Sequence, residues 1–560
     1  MKKKRKAFFA GAILAVAIGL SIALGANAFA AVPPKTYYFT WYDSLPENGV
    51  SSAYIVIGNL EDHEATAQVF FGKETQPRGT YSIPKGGRQT LTWPNTIGGP
   101  VKVVSPDGDT LVVTQRVIYG DSFSEAAAVE ETNIAGIGED GAASYYFTWY
   151  DSLPANGMKG NWILIANVDQ TSASVAVYVG TSKMDTFAID PGEQITPQYT
   201  NTMGGPVRVI SENGQNLVVS QRVLYKNSFS EVTAVPEEKL DTIYYFTWYD
   251  MIRASGMKGN WVLISNINDT PVQAEVYIGP NGPASYRGTY TIQPNQSATP
   301  FYPELMNGPV SVVCTSCSSG QKLMVSQRVL FKDSFEEVQG TPPAGLSDEL
   351  YFGWYDAKKA NSMNGNWILA ANQGLGSDTV DMYLGSAAGP IGTYQIAPGG
   401  RVTPQYHEMT DGPVRVASRG GQPLMVSQRV LYKDSFNELL GLTREDVGAA
   451  LPLEPTMTLF QERAYWESYA DYEDGRLSVD LRVRNAGQGT AVDAQITGLS
   501  ASSGVTALTA IPVSLGDISG GSHKTFTLQF AVPENVSIFR VDIQAWCQDT
   551  GGSWYYYPKT

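Results

Sequence analysis

"LVVSQRVLYKNSFSEV", residues 217–232, sets Gln221 and Arg222 inside a run of Leu, Val and Tyr that reads as the core of a strand. Arginine is rarely buried without a partner, so the run poses a question of charge. The phrase occurs four times: "LVVTQRVIYGDSFSEA" from Leu111, the quoted copy, "LMVSQRVLFKDSFEEV" from Leu323 and "LMVSQRVLYKDSFNEL" from Leu424. "YYFTWYD" precedes it from Tyr37, Tyr145 and Tyr244, and "YFGWYD" from Tyr351. Between the two stand "GMKGNW" (Gly157, Gly256) or "SMNGNW" (Ser362), then "GGPVKV", "GGPVRV", "NGPVSV" and "DGPVRV". The central tryptophans Trp41, Trp149, Trp248 and Trp354 are 108, 99 and 106 residues apart. A period near 100 is that of a small domain, longer than a solenoid repeat.

The second copy serves as the type. "YYFTWYD", "NWILIANV" from Asn161, "SVAVYVG" from Ser174, "DTFAI" from Asp185, "QITPQY" from Gln194, "PVRVIS" from Pro206 and "LVVSQRVLY" from Leu217 are rich in β-branched and aromatic residues. Each is bounded by Gly, Pro, Asn or Asp, the signature of strands and turns. The fold class is therefore all-β: tandem antiparallel β-sandwiches. Alternation places Tyr145, Phe147, Trp149 and Asp151 on one face, taken as the core side. Both faces of 217–225 are mostly apolar, so Gln221 and Arg222 are each at least half buried.

A buried guanidinium fits a carboxylate. Two acids recur with each arginine (Arg116, Arg222, Arg328, Arg429): the WYD aspartate (Asp43, Asp151, Asp250, Asp356) and the SFxE glutamate (Glu125, Glu231, Glu337, Glu438). The aspartate is the first expectation, because it ends the aromatic stripe. A structural ion pair outweighs a catalytic carboxylate dyad here, since an adjacent arginine favours lowered carboxylate pKa values, poor for a general acid. His63, His407 and His523 form no triad or metal motif, and no nucleophile elbow, phosphate loop or dinucleotide fingerprint occurs. The chain is expected to be no enzyme and to need no cofactor. Trp162, Trp261 and Trp367 of the GNW phrase are candidate glycan contacts, matched by Tyr54 in the first copy, where "GVSSAY" replaces the phrase. The WYD tryptophans read as core.

Residues 1–30 carry a basic start, an apolar stretch from Ala7 to Leu24 and A-x-A ends, and read as a secretory signal. An uncleaved membrane anchor is the rival reading. Without the five basic residues of this leader, 34 Lys+Arg face 54 Asp+Glu, which argues against nucleic acid or anionic lipid as partner. Cys314 and Cys317, in "VVCTSCSSG", are a candidate local disulfide, with too few other ligands for zinc, and Cys547 has no evident partner.

The order YFxWYD, GPVRV, SQRVLYxxSFxEV over about 36–440 resembles a tandem β-repeat of secreted and cell-envelope proteins of Gram-positive and related bacteria, which carries no known catalytic role. "LSVDLRVRNAGQGTAVDAQITGLSASSGV" with "VSLGDISGGSHKTFTLQFAVPE", over about 456–560, is similar to bacterial cell-adhesion-related immunoglobulin-like domains, which implies a spacer or interaction module. The expected units are a signal (1–30), repeats at 36–126, 144–233, 243–339 and 349–440, and an immunoglobulin-like sandwich (456–560). Short Pro/Gly/acid-rich linkers suggest beads on a semi-stiff rod. The expected role is a secreted or cell-surface structural or adhesive protein, or a multivalent glycan- or cell-wall-binding one. Its partners would be wall or extracellular polysaccharide or other surface proteins, with membrane contact only through an uncleaved leader.

Overall fold

A computed structural model describes residues 32–559, apart from residues 135, 137, 139–140, 281–282, 450–453 and 537–538. The leader expected at 1–30 lies outside the described residues. The chain is all-β, in many separate antiparallel sheets, as the strand-and-turn pattern predicts.

In the second repeat one sheet runs in the order Ser182–Ile189, Ala173–Val179, Val207–Ser211, Ala143–Phe147, Val235–Pro236. The facing sheet runs Gln194–Ile195, Met158–Asn167, Leu217–Tyr225, Ser228–Thr233. Between them lie Tyr145, Phe147, Tyr150, Ile163, Ile165, Val175, Val177, Val207, Val209, Leu217 and Val219. The alternation expected for the first strand fails at one point. The strand breaks at Thr148–Trp149, the phase slips by one, and Tyr150 rather than Trp149 enters the core. Its hydroxyl donates to the Asn161 carbonyl at 2.6 Å and accepts from the Tyr199 amide at 2.8 Å. The glycine of each GPV phrase follows from this break. A Cβ on Gly205 would stand 2.2 Å from the Thr148 carbonyl oxygen, so only a residue without a side chain lets the two strands approach.

The repeats do not form a rod. The SFxE strands Ser122–Ala127, Ser228–Thr233, Ser334–Gln339 and Ser435–Leu440 meet one another around a common axis, and the fourth repeat closes onto the first. Each phenylalanine amide donates to the serine hydroxyl of the repeat before it at 2.9 Å: Phe229 to Ser122, Phe335 to Ser228, Phe436 to Ser334 and Phe123 to Ser435. Their rings follow. Phe229 packs into the core of the first repeat and stacks on Tyr119, and Phe436 packs likewise into the third. Phe335 joins Met158 and Val223 of the second, and Phe123 joins Met363 and Val430 of the fourth.

The linkers explain why the rod expectation fails. Val129–Glu130, Val235–Pro236 and Leu442–Thr443 add a strand to the first sheet of their own repeat. The following turns gather at the axis, where Lys239 Nζ donates to Asn133 Oδ1 at 2.8 Å and Asn133 Nδ2 to the Glu445 carbonyl at 2.9 Å. A two-layer sandwich leaves the outer face of each sheet to solvent, but the outer face of the QRV strand in the second repeat carries Val218 and Leu224 beside Ser220 and Arg222. Ring closure buries it: Tyr38 and Ile134 cover Val218, and Tyr351 and Val447 cover Val112.

The C-terminal unit is a sandwich of two four-stranded sheets around Leu481, Val483, Ile496, Leu528 and Phe530. It shares a device with the repeats. At the end of one strand Asn485 accepts from the Gly487 amide and donates to the Gly489 and Ile518 carbonyls, tying the strand end to a neighbouring turn. Asn59, Asn167, Asn266 and Asn372 make the same set of bonds in their repeats. The unit docks on the linker side of the ring through Arg482, which pairs with Asp241 at 2.9 Å and with Glu462.

Candidate functional site at the ring axis

The partner of the buried arginine is the glutamate in every copy, which corrects the first expectation of an aspartate. Arg222 Nε and Nη2 donate to Glu231 Oε2 at 2.9 and 2.7 Å. Arg116–Glu125, Arg328–Glu337 and Arg429–Glu438 repeat this with Nη2 to Oε2 at 2.6 Å. The reason is register. A tight turn at Lys226–Asn227 sets Arg222 directly opposite Glu231 across the hairpin. Asp151 instead shapes the next turn, accepting from the Leu153 amide at 2.9 Å and Asn156 Nδ2 at 2.8 Å. Asp43 and Asp356 do the same, and Asp250 keeps only the amide bond, to Ile252.

Each Arg–Glu pair is also a latch between repeats. The free oxygen of Glu231 accepts from Ser220 at 2.8 Å and from Thr40 of the preceding repeat at 3.2 Å. Thr148 reaches Glu337, and Thr247 reaches Glu438, in the same way. The closing interface uses a substitute. Gly353 stands where the other repeats have threonine, and it meets Thr114, which stands where they have serine. The Arg116 guanidinium lies 3.4 Å over the ring of Trp354, a cation–π contact in a fully enclosed place. Trp248 is likewise covered by Arg401 of the next repeat at 3.8 Å. These WYD tryptophans therefore belong to the interface and not to the core.

A second set of contacts runs around the outside of the hairpin turns. Lys226 binds Asp333, Lys332 binds Asp434 and Lys433 binds Asp121, each to the next repeat around the ring. At the remaining interface the corresponding residues are Gly120 and Asn227, so the lysine and the aspartate are missing together. The lysines hold φ near +50°, a conformation that favours glycine, and glycine returns at position 120, where no aspartate waits.

On the axis, four related positions carry Ser124, Ser230, Glu336 and Asn437, all buried. Asn437 Nδ2 donates to Glu336 Oε1 at 2.9 Å, while Glu336 Oε2 and Asn437 Oδ1 have no hydrogen-bond partner. Burial pushes the Glu336 carboxyl well above the ordinary carboxylate range, against the opposing pull of Ser230, the Glu438 amide and Asn437. Beside this layer opens a cavity of about 310 Å³, lined from all four repeats. Nothing in the repeated phrases marks Glu336 except its difference from the other three copies.

Trp162, Trp261 and Trp367 are half-buried. The indole of Trp162 lies over its own strand, so that a Cβ on Gly160 would stand 1.9 Å from the ring, and Gly259 and Gly365 stand likewise under Trp261 and Trp367. This accounts for the G-N-W spacing, and for Ser52 being allowed where Tyr54 replaces the tryptophan. Asn161 and Gln221 hold each other, Nε2 to Oδ1 at 3.0 Å. Cys314 and Cys317 form a disulfide, and Cys547 is a buried thiol that burial pushes up to about 11.

No family model and no curated protein matches the chain. Among solved structures it shows similarity to trypsin-activated alpha-2-macroglobulin from Escherichia coli, with 9% identity over 94% of this chain and 49% of that one, at a TM-score of 0.18. A GH2 beta-galacturonidase from Eisenbergiella tayi matches with 10% identity over 55% of this chain and 45% of that one, at 0.14. A tetra-tandem repeat from the extending region of a large adhesion protein matches with 10% identity over 80% and 93%, at 0.10. The chain thus spans about half the length of the macroglobulin it matches. At these scores the likenesses carry no argument about this chain.

Proposed function

We propose that the protein is an exported, non-enzymatic component of the cell surface or extracellular matrix, in which four repeats build one rigid ring that presents an immunoglobulin-like domain. One observation carries this reading. The recurring polar residues, namely the four WYD aspartates, the GNW asparagines and QRV glutamines of the last three repeats, and the four QRV arginines and SFxE glutamates, are engaged in turns, cores and latches. A repeated catalytic site would need some of them free to meet a substrate. Fractionating cells into membrane, wall and medium tests the location: recovery from the wall or the medium is expected, and retention in the cytoplasm refutes it.

The glycan-binding reading draws on a different place. On the C-terminal unit Trp554 and Tyr556 are exposed on an edge strand, and Trp546 of the adjoining strand packs edge-on to Trp554 at 4.4 Å. Gln544 and Gln548 lie on the same face of that adjoining strand. Exposed rings flanked by amides suit a sugar better than the pinned indoles of Trp162, Trp261 and Trp367 do. A glycan array on the full chain decides. Saturable binding lost in a Trp554→Ala/Tyr556→Ala variant supports this face, and binding lost only when Trp162, Trp261 and Trp367 are changed supports the repeats.

A further inference from the structure

We propose that the axial cavity is a binding site for a small organic cation, an ammonium group carrying a short apolar chain, with the ammonium on Glu336. The argument starts from charge. Of the other glutamates that line the cavity, Glu125, Glu231, Glu337 and Glu438 are each neutralised by an arginine of their own repeat, Glu445 pairs with Arg484, and Glu130 is held by Thr132 and Asn133. Glu336 has no such partner. It is 3% exposed, Asn437, Ser230 and the Glu438 amide are its neutral partners, and Oε2 is left without a hydrogen bond. A buried carboxylate without a cation is costly, and the three related positions avoid the cost with Ser124, Ser230 and Asn437. A ligand cation would supply what the fold leaves out.

The shape and walls fix the rest of the ligand. The cavity stands at the small end of ligand sites. Its walls come from 126–129, 232–236, 338–342 and 439–442, stretches dominated by Ala, Val, Leu and Pro. A bare metal ion would leave that surface unused and would find one carboxylate where hard cations gather several oxygens. Asp446, also in the lining, pairs with Lys239, so the cationic side chains near the cavity are already committed to other acids.

The test is calorimetric titration of the full chain with n-hexylammonium chloride at neutral pH, against 1-hexanol and hexanoate of matched length. One saturable site per chain is expected for the ammonium alone. It should weaken at least about tenfold in Glu336→Gln and in Glu336→Ser, the second variant copying the residue that the first two repeats already tolerate. Small-angle scattering on each variant establishes that the ring is intact. Equal binding of hexanol, undiminished binding in both variants, or no saturable binding by an intact ring would overturn the proposal. An open ring would overturn it too, since the cavity needs all four repeats.

Discussion

The Lys433 ammonium lies on the Asp121 carboxylate, although 312 residues separate them. This contact joins the last repeat to the first, and with Lys226–Asp333 and Lys332–Asp434 it follows one rule: lysine of one repeat, aspartate of the next. Exposed pairs of this kind add little stability and are screened by salt, so their use is in fixing which repeat neighbours which. Installing the absent pair by Gly120→Lys with Asn227→Asp should therefore be tolerated. A double-mutant cycle followed by thermal denaturation at low salt should give a favourable coupling that fades as salt rises. A coupling of zero or of the opposite sign would mean that these two positions do not meet.

The closing interface offers a steric version of the same experiment. A Cβ at Gly353 would stand 3.0 Å from Thr114 Oγ1 and 3.3 Å from its Cγ2. Gly353→Thr alone should destabilise by about 1–3 kcal/mol, the usual range for overpacking. Adding Thr114→Ser recreates the Thr–Ser pair of the other three interfaces and should recover most of the loss. Urea denaturation of the two single variants and the double variant reads this directly.

Within a latch, the two partners of an ion pair are not equivalent. Glu231→Ala leaves a guanidinium that cannot shed its proton, and it removes the acceptor of Ser220 and Thr40, so a loss of about 3–5 kcal/mol is expected. Arg222→Met should be milder, because the remaining carboxyl can take up a proton. Asp151→Ala removes two turn bonds, to the Leu153 amide and Asn156 Nδ2, and should cost about 1–3 kcal/mol. Finding Asp151→Ala the most damaging of the three would restore the aspartate as the arginine's partner.

Glu336 gives the ligand-free protein a pH dependence of defined sign. Its carboxyl is raised in the folded state, so the folded chain holds that proton more tightly than the unfolded chain does. Stability should increase as pH falls through the window between the raised value and the ordinary 4.5, and this contribution should level off below 4.5. Of the flanking acids, Glu438 is paired with Arg429 and Glu337 with Arg328. Glu336→Gln should melt above the natural chain at pH 7, with the gap narrowing toward pH 4.5. A lower melting temperature for the variant at pH 7 would contradict the buried charge.

The repeat period and the strand pattern made the all-β tandem sandwiches legible from residues alone, and the burial of Arg222 followed from apolar neighbours on both sides. Two things in the same residues went unread. The hairpin turn at Lys226–Asn227 already sets Arg222 against Glu231, whereas face alternation along the first strand pointed to Asp151 and ignored the break at Thr148–Trp149. The second was the ring. A QRV strand with apolar residues on both faces does not suit an isolated two-layer bead, and the joint loss of lysine at 120 and aspartate at 227 names the neighbour. Glu336 was not legible, because its place on an axis exists only after four repeats have closed.

Closure itself can be measured on the natural chain. Carbodiimide joins a lysine to a carboxylate only where the two already touch, so a cross-link maps the contacts without mutation. In the monomeric fraction, peptide mass spectrometry should find Lys226–Asp333, Lys332–Asp434 and Lys433–Asp121 joined within one chain. Recovery of the first two without Lys433–Asp121 would show an open string of repeats and contradict the ring.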